Sequence, residues 1–122
     1  MNYILAWIGL SKAHFNKKNY SQALYCYKAG LNVDPNNVDI WNGLGEVHKV
    51  QKRFSSAIRC FNQALENDPY NTLALFGLGA VYNNQGNYIE SIQNYEKGLN
   101  IVPDNTDGLN GLAFVYYNQK NY

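Results

Sequence analysis

The chain has 122 residues, with 10 basic and 9 acidic side chains and a formal net charge of +1. This length fits one domain, and the balanced charge provides no field that would attract nucleic acid or an anionic membrane. Hydrophobic residues make up 46% of the chain and aromatic residues 15%, which argues against disorder because such a chain has side chains to bury. No apolar run is long enough to span a membrane.

Taken in chain order, the predicted elements are helix pairs in units of 34 residues. The prolines set this period, since Pro35, Pro69 and Pro103 are 34 positions apart and each follows a second helix, which a proline cannot continue. The units are 4–37, 38–71 and 72–105, and 106–122 contains only the first helix of a fourth. Residues 1–122 are therefore predicted to form a single domain of repeats without a gap.

Helical spacing is clearest in the second unit. Apolar residues recur at helical spacing in 40–48 and again in 54–65, with a polar turn at 51–53 between them. Asn71 and Asn105 precede the next units and are predicted to cap their first helices. Because one such pair cannot bury its apolar faces alone, neighbouring units are expected to complete the core.

The second unit reads Trp41-x2-Leu44-Gly45-x2-His48, then Ala57-x3-Phe61, then Pro69. This pattern resembles the tetratricopeptide repeat, with histidine in place of the usual tyrosine, and the resemblance covers the whole chain. It implies an all-α fold, a right-handed alpha-alpha superhelix of helix-turn-helix units. It also implies a domain that binds other proteins and is not an enzyme.

In this family, the first helix of each unit lines a concave groove that receives a peptide or a helix of a partner protein. The groove residues implied here are Leu5, Ile8, Lys12, Phe15, Asp39, Asn42, Glu46, Lys49, Leu73, Phe76, Ala80, Asn83, Asn84, Asp107, Asn110, Phe114 and Tyr117. Their mixed apolar, aromatic and amide character favours a partner segment with hydrophobic anchors. Substitution of Phe76 or Asn42 is expected to weaken binding without unfolding the chain.

A row of glycines occupies one position of the first helices, namely Gly9, Gly43, Gly77 and Gly111. A glycine inside a helix costs about 1 kcal/mol relative to alanine. The row therefore indicates close packing against either a ligand backbone or a neighbouring helix, and we favour the neighbouring helix.

One subclass of the family, the co-chaperones, holds the terminal carboxylate of a heat-shock protein tail with two lysines, two asparagines and one arginine. The corresponding positions here are Ile8, Lys12, Gly43, Leu73 and Gly77. Only Lys12 is basic, and it replaces an asparagine. Because a terminal carboxylate needs charge-assisted donors, the sequence predicts that this chain is not a carboxylate-clamp co-chaperone.

No cluster of residues indicates catalysis, a metal site or a cofactor. His14 and His48 share one unit position that tyrosine fills later, which is typical of contacts between helices, and adjacent units lie too far apart for both to bind one zinc. Cys26 and Cys60 match no zinc or redox spacing and are predicted to be free buried thiols. Their use favours an intracellular, cytoplasmic setting.

Basic residues fall in the turns at Lys17-Lys18 and Lys52-Arg53 and at Lys120. We interpret them as solvated turn residues and expect neither nucleic acid nor membrane as a partner. An anionic partner or a nucleic acid is the alternative interpretation.

The last predicted helix has no second helix to cover it. Leu112, Ala113 and Tyr116 are expected to form an exposed terminal edge. One explanation is that the chain is a fragment of a longer solenoid, and the alternative is that a partner or a second copy of the chain caps this edge. We expect both to hold, so that the chain self-associates through the edge.

Two functions remain open. The first is a scaffold that assembles protein complexes through the groove. The alternative is a recognition arm of a larger enzyme, for example a glycosyltransferase, whose catalytic domain lies outside this chain. No residue of the sequence separates the two.

Overall fold

The computed structural model describes residues 3–120, which form seven helices and no strand. The helices are α1 (Ile4–Asn16), α2 (Tyr20–Val33), α3 (Val38–Val50), α4 (Phe54–Asn67), α5 (Thr72–Asn84), α6 (Tyr88–Ile101) and α7 (Thr106–Lys120). Residues 1–2 and 121–122 of the predicted domain lie outside the described part. The architecture is an all-α helical-repeat solenoid, as the sequence predicts.

Asparagine caps begin three of the first helices. The side chains of Asn37, Asn71 and Asn105 accept hydrogen bonds from backbone N–H groups three residues later, at 3.0, 2.9 and 2.9 Å. Such bonds satisfy donors that have no partner within the helix. The starts of α3, α5 and α7 are therefore fixed by local chemistry, whereas α1 begins without a side-chain cap.

The turn inside each complete unit contains one residue in the left-handed region. Lys18, Lys52 and Gly86 have φ values of 62°, 61° and 78°. Glycine adopts this conformation without a steric penalty, whereas lysine adopts it at a steric cost. The three turns thus have the same backbone geometry even where lysine stands in place of the favoured glycine.

The buried core consists of two clusters that share one side chain. Ile8, Ile40 and Val47 belong to the first cluster, and Phe61 and Val81 belong to the second. Trp41 packs against both clusters, and its indole N–H donates to the carbonyl of Pro35 at 2.9 Å. The core is therefore continuous from the first unit into the third.

The two kinds of helix pack differently. First helices of consecutive units contact each other in the pairs α1–α3, α3–α5 and α5–α7. Within the described residues, the second helices α2, α4 and α6 contact first helices but not one another. The first helices consequently form the closer, concave side and the second helices form the spread, convex side.

The glycine row is filled by aromatic rings from the second helices. A Cβ on Gly77 would lie 2.5 Å from Phe61 Cζ, and one on Gly45 would lie 2.7 Å from the same ring. In the same way Tyr27 covers Gly43. The predicted packing against a neighbouring helix is confirmed for Gly43, Gly77 and Gly111, since Phe61 lies between α3 and α5 and Tyr95 between α5 and α7. No atom lies within 4 Å of the same point on Gly9.

Candidate protein-binding groove

Most of the predicted groove residues line three cavities, two between the first helices on the concave side and a third beside the turn that joins α5 and α6. The first groove cavity, of about 240 Å³, is lined by Lys12, Phe15, Tyr27, Asp39, Asn42, Gly43, Glu46, Phe61 and Leu73. The second, of about 280 Å³, is lined by Glu46, Lys49, Thr72, Leu73, Phe76, Gly77, Ala80, Tyr95, Asn105 and Asp107. The third, of about 600 Å³, is lined by Asn83, Asn84, Gln85, Gly86, Tyr88, Phe114 and Asn118.

Four of the predicted groove residues line none of these cavities. Leu5, Asn110 and Tyr117 are exposed elsewhere on the first helices. Ile8 is only 7% exposed and belongs to the first core cluster. It therefore presents little surface to a ligand, contrary to the assignment from unit position.

A row of side-chain oxygens runs along the concave side of α3. Asp39, Asn42 and Glu46 are three and four positions apart, which places them on one face of the helix. All three line the first groove cavity. This row offers hydrogen-bond acceptors one turn after another.

The orientation of Asn42 is fixed by its neighbour. Asn42 Nδ2 donates to Asn71 Oδ1 at 2.9 Å, and the same oxygen accepts from the backbone N–H of Ala74 at 2.9 Å. Since Asn71 must present its oxygen to both donors, Asn42 must present its amide nitrogen there. The remaining Asn42 oxygen is buried without a hydrogen-bond partner, which is a costly arrangement for a polar atom.

The charge of the first groove cavity is negative on balance. Among its described lining residues, Lys12 faces the two carboxylates of Asp39 and Glu46. Burial raises the pKa of the Tyr27 hydroxyl, and the charges of Glu46 and then Asp39 raise it further. Next to this cavity Lys49 forms an ion pair with Glu46 at 3.0 Å. Because Lys49 neutralises Glu46, the acceptors left for a ligand are chiefly Asp39 and Asn42, and an N–H donor is better matched to them than a carboxylate.

Phe76 has a structural role that unit position does not reveal. Its ring packs over Gly98 of α6 and Gly108 of α7, where a Cβ on Gly108 would lie 2.6 Å from the ring. It also stacks on Tyr95, with the ring centroids 5.9 Å apart. The expectation that Phe76 can be substituted without affecting the fold is therefore wrong. Asn42, only 6% exposed, is similarly unsuited to that test.

Three residues of the concave side were missed from sequence. Tyr27, Phe61 and Tyr95 belong to second helices, yet Tyr27 and Phe61 line the first groove cavity and Tyr95 the second. They reach it because the glycine row leaves room for their rings. The available signal is that each aromatic residue stands 16 positions before a glycine of the row.

The terminal edge is partly exposed. Tyr116 is 48% exposed and Ala113 is exposed, whereas Leu112 is half-buried. Leu109, which was not among the predicted edge residues, is 49% exposed. The uncovered face of α7 is thus apolar, but the Leu112 side chain is less exposed there than predicted.

The described residues contain no group of three or more His, Cys, Asp or Glu side chains that could hold a metal ion. Cys26 and Cys60 are both buried and unbonded, which confirms the prediction of free thiols. Burial raises the pKa of the Cys60 thiol to about 11, so little reactive thiolate forms near neutral pH. In residues 3–120, no helix combines the length and the hydropathy needed to cross a bilayer.

Comparison with known proteins places the chain in one family. A family model described as a TPR repeat matches residues 12–52 and 81–120, and two models described as a tetratricopeptide repeat match 38–71 and 60–93. A comparison with the sequences of curated proteins gives no match.

Solved structures of such domains superimpose over nearly the whole chain. The NMR structure of the first TPR domain of human RPAP3 has a TM-score of 0.93 at 22% identity, covering 98% of this chain and 94% of that one. The first TPR of Spaghetti (RPAP3), bound to the HSP90 peptide SRMEEVD, has a TM-score of 0.88 at 24% identity, covering 93% and 90%. The Arabidopsis OM64 TPR domain has a TM-score of 0.87 at 16% identity, covering 94% and 95%.

Proposed function

Because the chain belongs to the tetratricopeptide repeat family and is a protein-interaction domain, we propose that its concave side binds a peptide or helix of a partner protein. The observation that carries this proposal is the first groove cavity, where apolar walls surround a row of oxygen acceptors. Leu73, at 67% exposure, supplies an accessible apolar contact beside the row. The groove thus suits a segment that combines apolar anchors with a basic side chain.

We further propose that the groove is not a carboxylate clamp. The similar Spaghetti domain is bound to the HSP90 peptide SRMEEVD, which ends in acidic residues and a terminal carboxylate. At the corresponding positions this chain has the core residue Ile8, the exposed apolar Leu73, and Gly43 and Gly77 beneath aromatic rings. Lys12 alone would face such a tail, with Asp39 and Glu46 beside it. Repulsion and the loss of charge-assisted donors therefore oppose binding.

A displayed peptide library selected on the purified chain tests the proposed partner class. Selected peptides are expected to contain apolar residues next to lysine or arginine. Leu73→Ser should abolish their binding, whereas the matched control Ile89→Ser should not, since Ile89 is 66% exposed on α6 and lines no groove cavity. Equal loss in both variants, or selection of acidic carboxyl-terminal peptides, would contradict the proposal.

The clamp exclusion has a direct test. Fluorescence polarisation with labelled SRMEEVD peptide should show no saturation up to millimolar concentrations of the chain, the range of very weak binding. Asp39→Lys combined with Glu46→Lys reverses the charge of the cavity and is expected to improve binding of this peptide. Saturable binding by the unaltered chain that Lys12→Ala removes would overturn the exclusion.

A second copy of the chain is the proposed cover for the terminal edge. Leu109 and Tyr116 expose apolar surface on α7, and burying a large apolar side chain stabilises by about 1.5–3 kcal/mol. Sedimentation velocity over a dilution series should show reversible association that Tyr116→Lys weakens. A strict monomer at high concentration would exclude self-association while leaving the groove proposal intact.

We propose that the chain is a non-catalytic, intracellular scaffold. The two buried and unbonded thiols, Cys26 and Cys60, fit a reducing compartment. Localisation of a tagged chain by fluorescence microscopy tests the compartment, and export from the cell would contradict it.

A further inference from the structure

The convex side contains a cavity of about 460 Å³ that is separate from the groove. It lies between the second helices α2 and α4, which do not contact each other. Trp41, Leu44 and His48 of α3 form its floor. The open gap between second helices thus becomes a pocket with an apolar, aromatic base.

Two cations line this pocket without a carboxylate opposite them. Lys28 of α2 and Arg59 of α4 stand on its two sides, and no aspartate or glutamate lines it. The described residues provide neither cation with an ion pair. The positive charges of the pocket are consequently available to an anionic ligand.

Lys28 and Arg59 line the same pocket as His48 and Cys60, and their charges act on both of these side chains. The pKa of His48 is lowered by burial first, and then by the positive charges of Arg53, Lys28 and Arg59. The charges of Arg59 and Lys28 also act on the buried Cys60 thiol. In addition, His48 Nδ1 is buried without a hydrogen-bond partner. A common field from Lys28 and Arg59 therefore covers the floor of the pocket.

The repeat fold does not require this chemistry. At the next boundary, one unit later, Asn62 stands in the place of Lys28 and Gln93 in the place of Arg59. Tyr82 replaces His48 there, and Glu90 replaces Ser56. Since α4, α5 and α6 pack without cations at these positions, the packing of α2 and α4 on α3 does not require Lys28 and Arg59.

We propose that this pocket, the α2–α4 pocket, binds a phosphate group attached to an aromatic or apolar group. The phosphate carries a charge of about −1.5 to −2 at neutral pH and matches the two cations. The ring or apolar group covers the half-buried Leu31 and Trp41 side chains, which line the same pocket as the cations. Such a group occurs on a phosphorylated aromatic side chain of a partner protein and on a small metabolite.

Phenyl phosphate is the probe for this proposal. Adding it to the intact chain should quench tryptophan fluorescence with saturation and shift the NMR signals of the Trp41 indole and His48. The pKa of His48 should rise, because a bound anion stabilises the imidazolium form. The signal of His14, which does not line the pocket, should not change. Inorganic phosphate and phenol, each lacking one half of the probe, should bind more weakly.

Variants that remove one charge distinguish specific binding in the α2–α4 pocket from nonspecific electrostatic attraction of the anion. Lys28→Gln or Arg59→Gln alone should weaken binding about two- to five-fold, as expected for exposed charge pairs, and the double variant about ten-fold or more. Lys97→Gln removes an exposed cation of α6 outside the pocket and should have no effect. All three positions are exposed, so thermal unfolding should show that every variant folds.

The outcomes are decisive in both directions. Absence of saturable binding by phenyl phosphate, or binding that the double variant retains, overturns the proposal. Binding that weakens in each single variant and further in the double variant, but not in Lys97→Gln, supports it. A phosphotyrosine within a glycine-serine peptide distinguishes the two sources: tighter binding than phenyl phosphate assigns the pocket to a partner protein, and equal binding assigns it to a small molecule. Leu73→Ser, which affects the groove, should leave this binding unchanged.

Discussion

Gly77 and Gly9 occupy the same position of the repeat, but their surroundings are opposite. The ring of Phe61 fills the space over Gly77, whereas a Cβ on Gly9 would meet no atom within 4 Å. The same residue type thus has two physical meanings in one chain. Inside the array glycine makes room for an aromatic ring, and at the first helix it is only a weak helix former.

The largest effect is expected for removal of the ring itself. Phe61 is fully buried between consecutive first helices, so Phe61→Ala should lower the free energy of unfolding by about 3–5 kcal/mol through lost burial and the cavity left behind. Urea denaturation followed by circular dichroism measures this. Ile89→Ala on the exposed face of α6 should change stability by less than about 0.5 kcal/mol. Equal losses would mean that the ring does not hold adjacent units together.

A smaller loss is expected where the ring stays but its space is reduced. The new Cβ of Gly77→Ala would lie 2.5 Å from Phe61 Cζ, and overpacking of this kind costs about 1–3 kcal/mol. The same denaturation experiment detects it. If Phe61→Ala is present as well, the clash disappears, so the two changes should be strongly non-additive. If the two losses of stability were additive, the new Cβ would not clash with the Phe61 ring.

The ring over the next boundary adds a dependence on pH. Burial raises the pKa of Tyr95 to about 12, and the charge of Glu46 adds to the shift. Because the folded-state pKa lies above the usual value of 10.0, the stabilisation is complete below pH 10 and is lost as the pH rises towards about 12. Tyr95→Phe should make alkaline unfolding less steep.

Measurements of stability against pH check this, with the range near neutral pH as the control. Near neutral pH, the free energy of unfolding should change with pH equally in Tyr95→Phe and in the unaltered chain. The variant should still lose some stability at alkaline pH, because burial also raises the pKa values of Tyr27 and Cys60. An unchanged alkaline slope would show that the Tyr95 hydroxyl is not protected in the fold.

The smallest effect has the opposite sign. Gly9→Ala meets no steric obstacle and should raise stability by up to about 1 kcal/mol through improved helix propensity. Thermal unfolding of the variant measures the gain. Destabilisation would indicate that another molecule already packs against Gly9 in solution.

The sequence predicted the features that depend on local chemistry. Proline spacing and the capping residues Asn71 and Asn105 located the units because helix ends are set within a few residues. The groove was predicted only in part, since its details depend on distant contacts. Asn42 is fixed by Asn71, 29 positions away, and Phe76 packs between α6 and α7. Neither contact can be predicted from the position of a residue within its unit.

Trp41 has a consequence for how the chain unfolds. Its side chain is shared by two core clusters, one built from the first and second units and the other from the second and third. In an array stabilised by nearest neighbours, a shared side chain joins the melting of one unit to that of the next. The first three units should therefore lose structure in one cooperative step, and Trp41 fluorescence should change in that step.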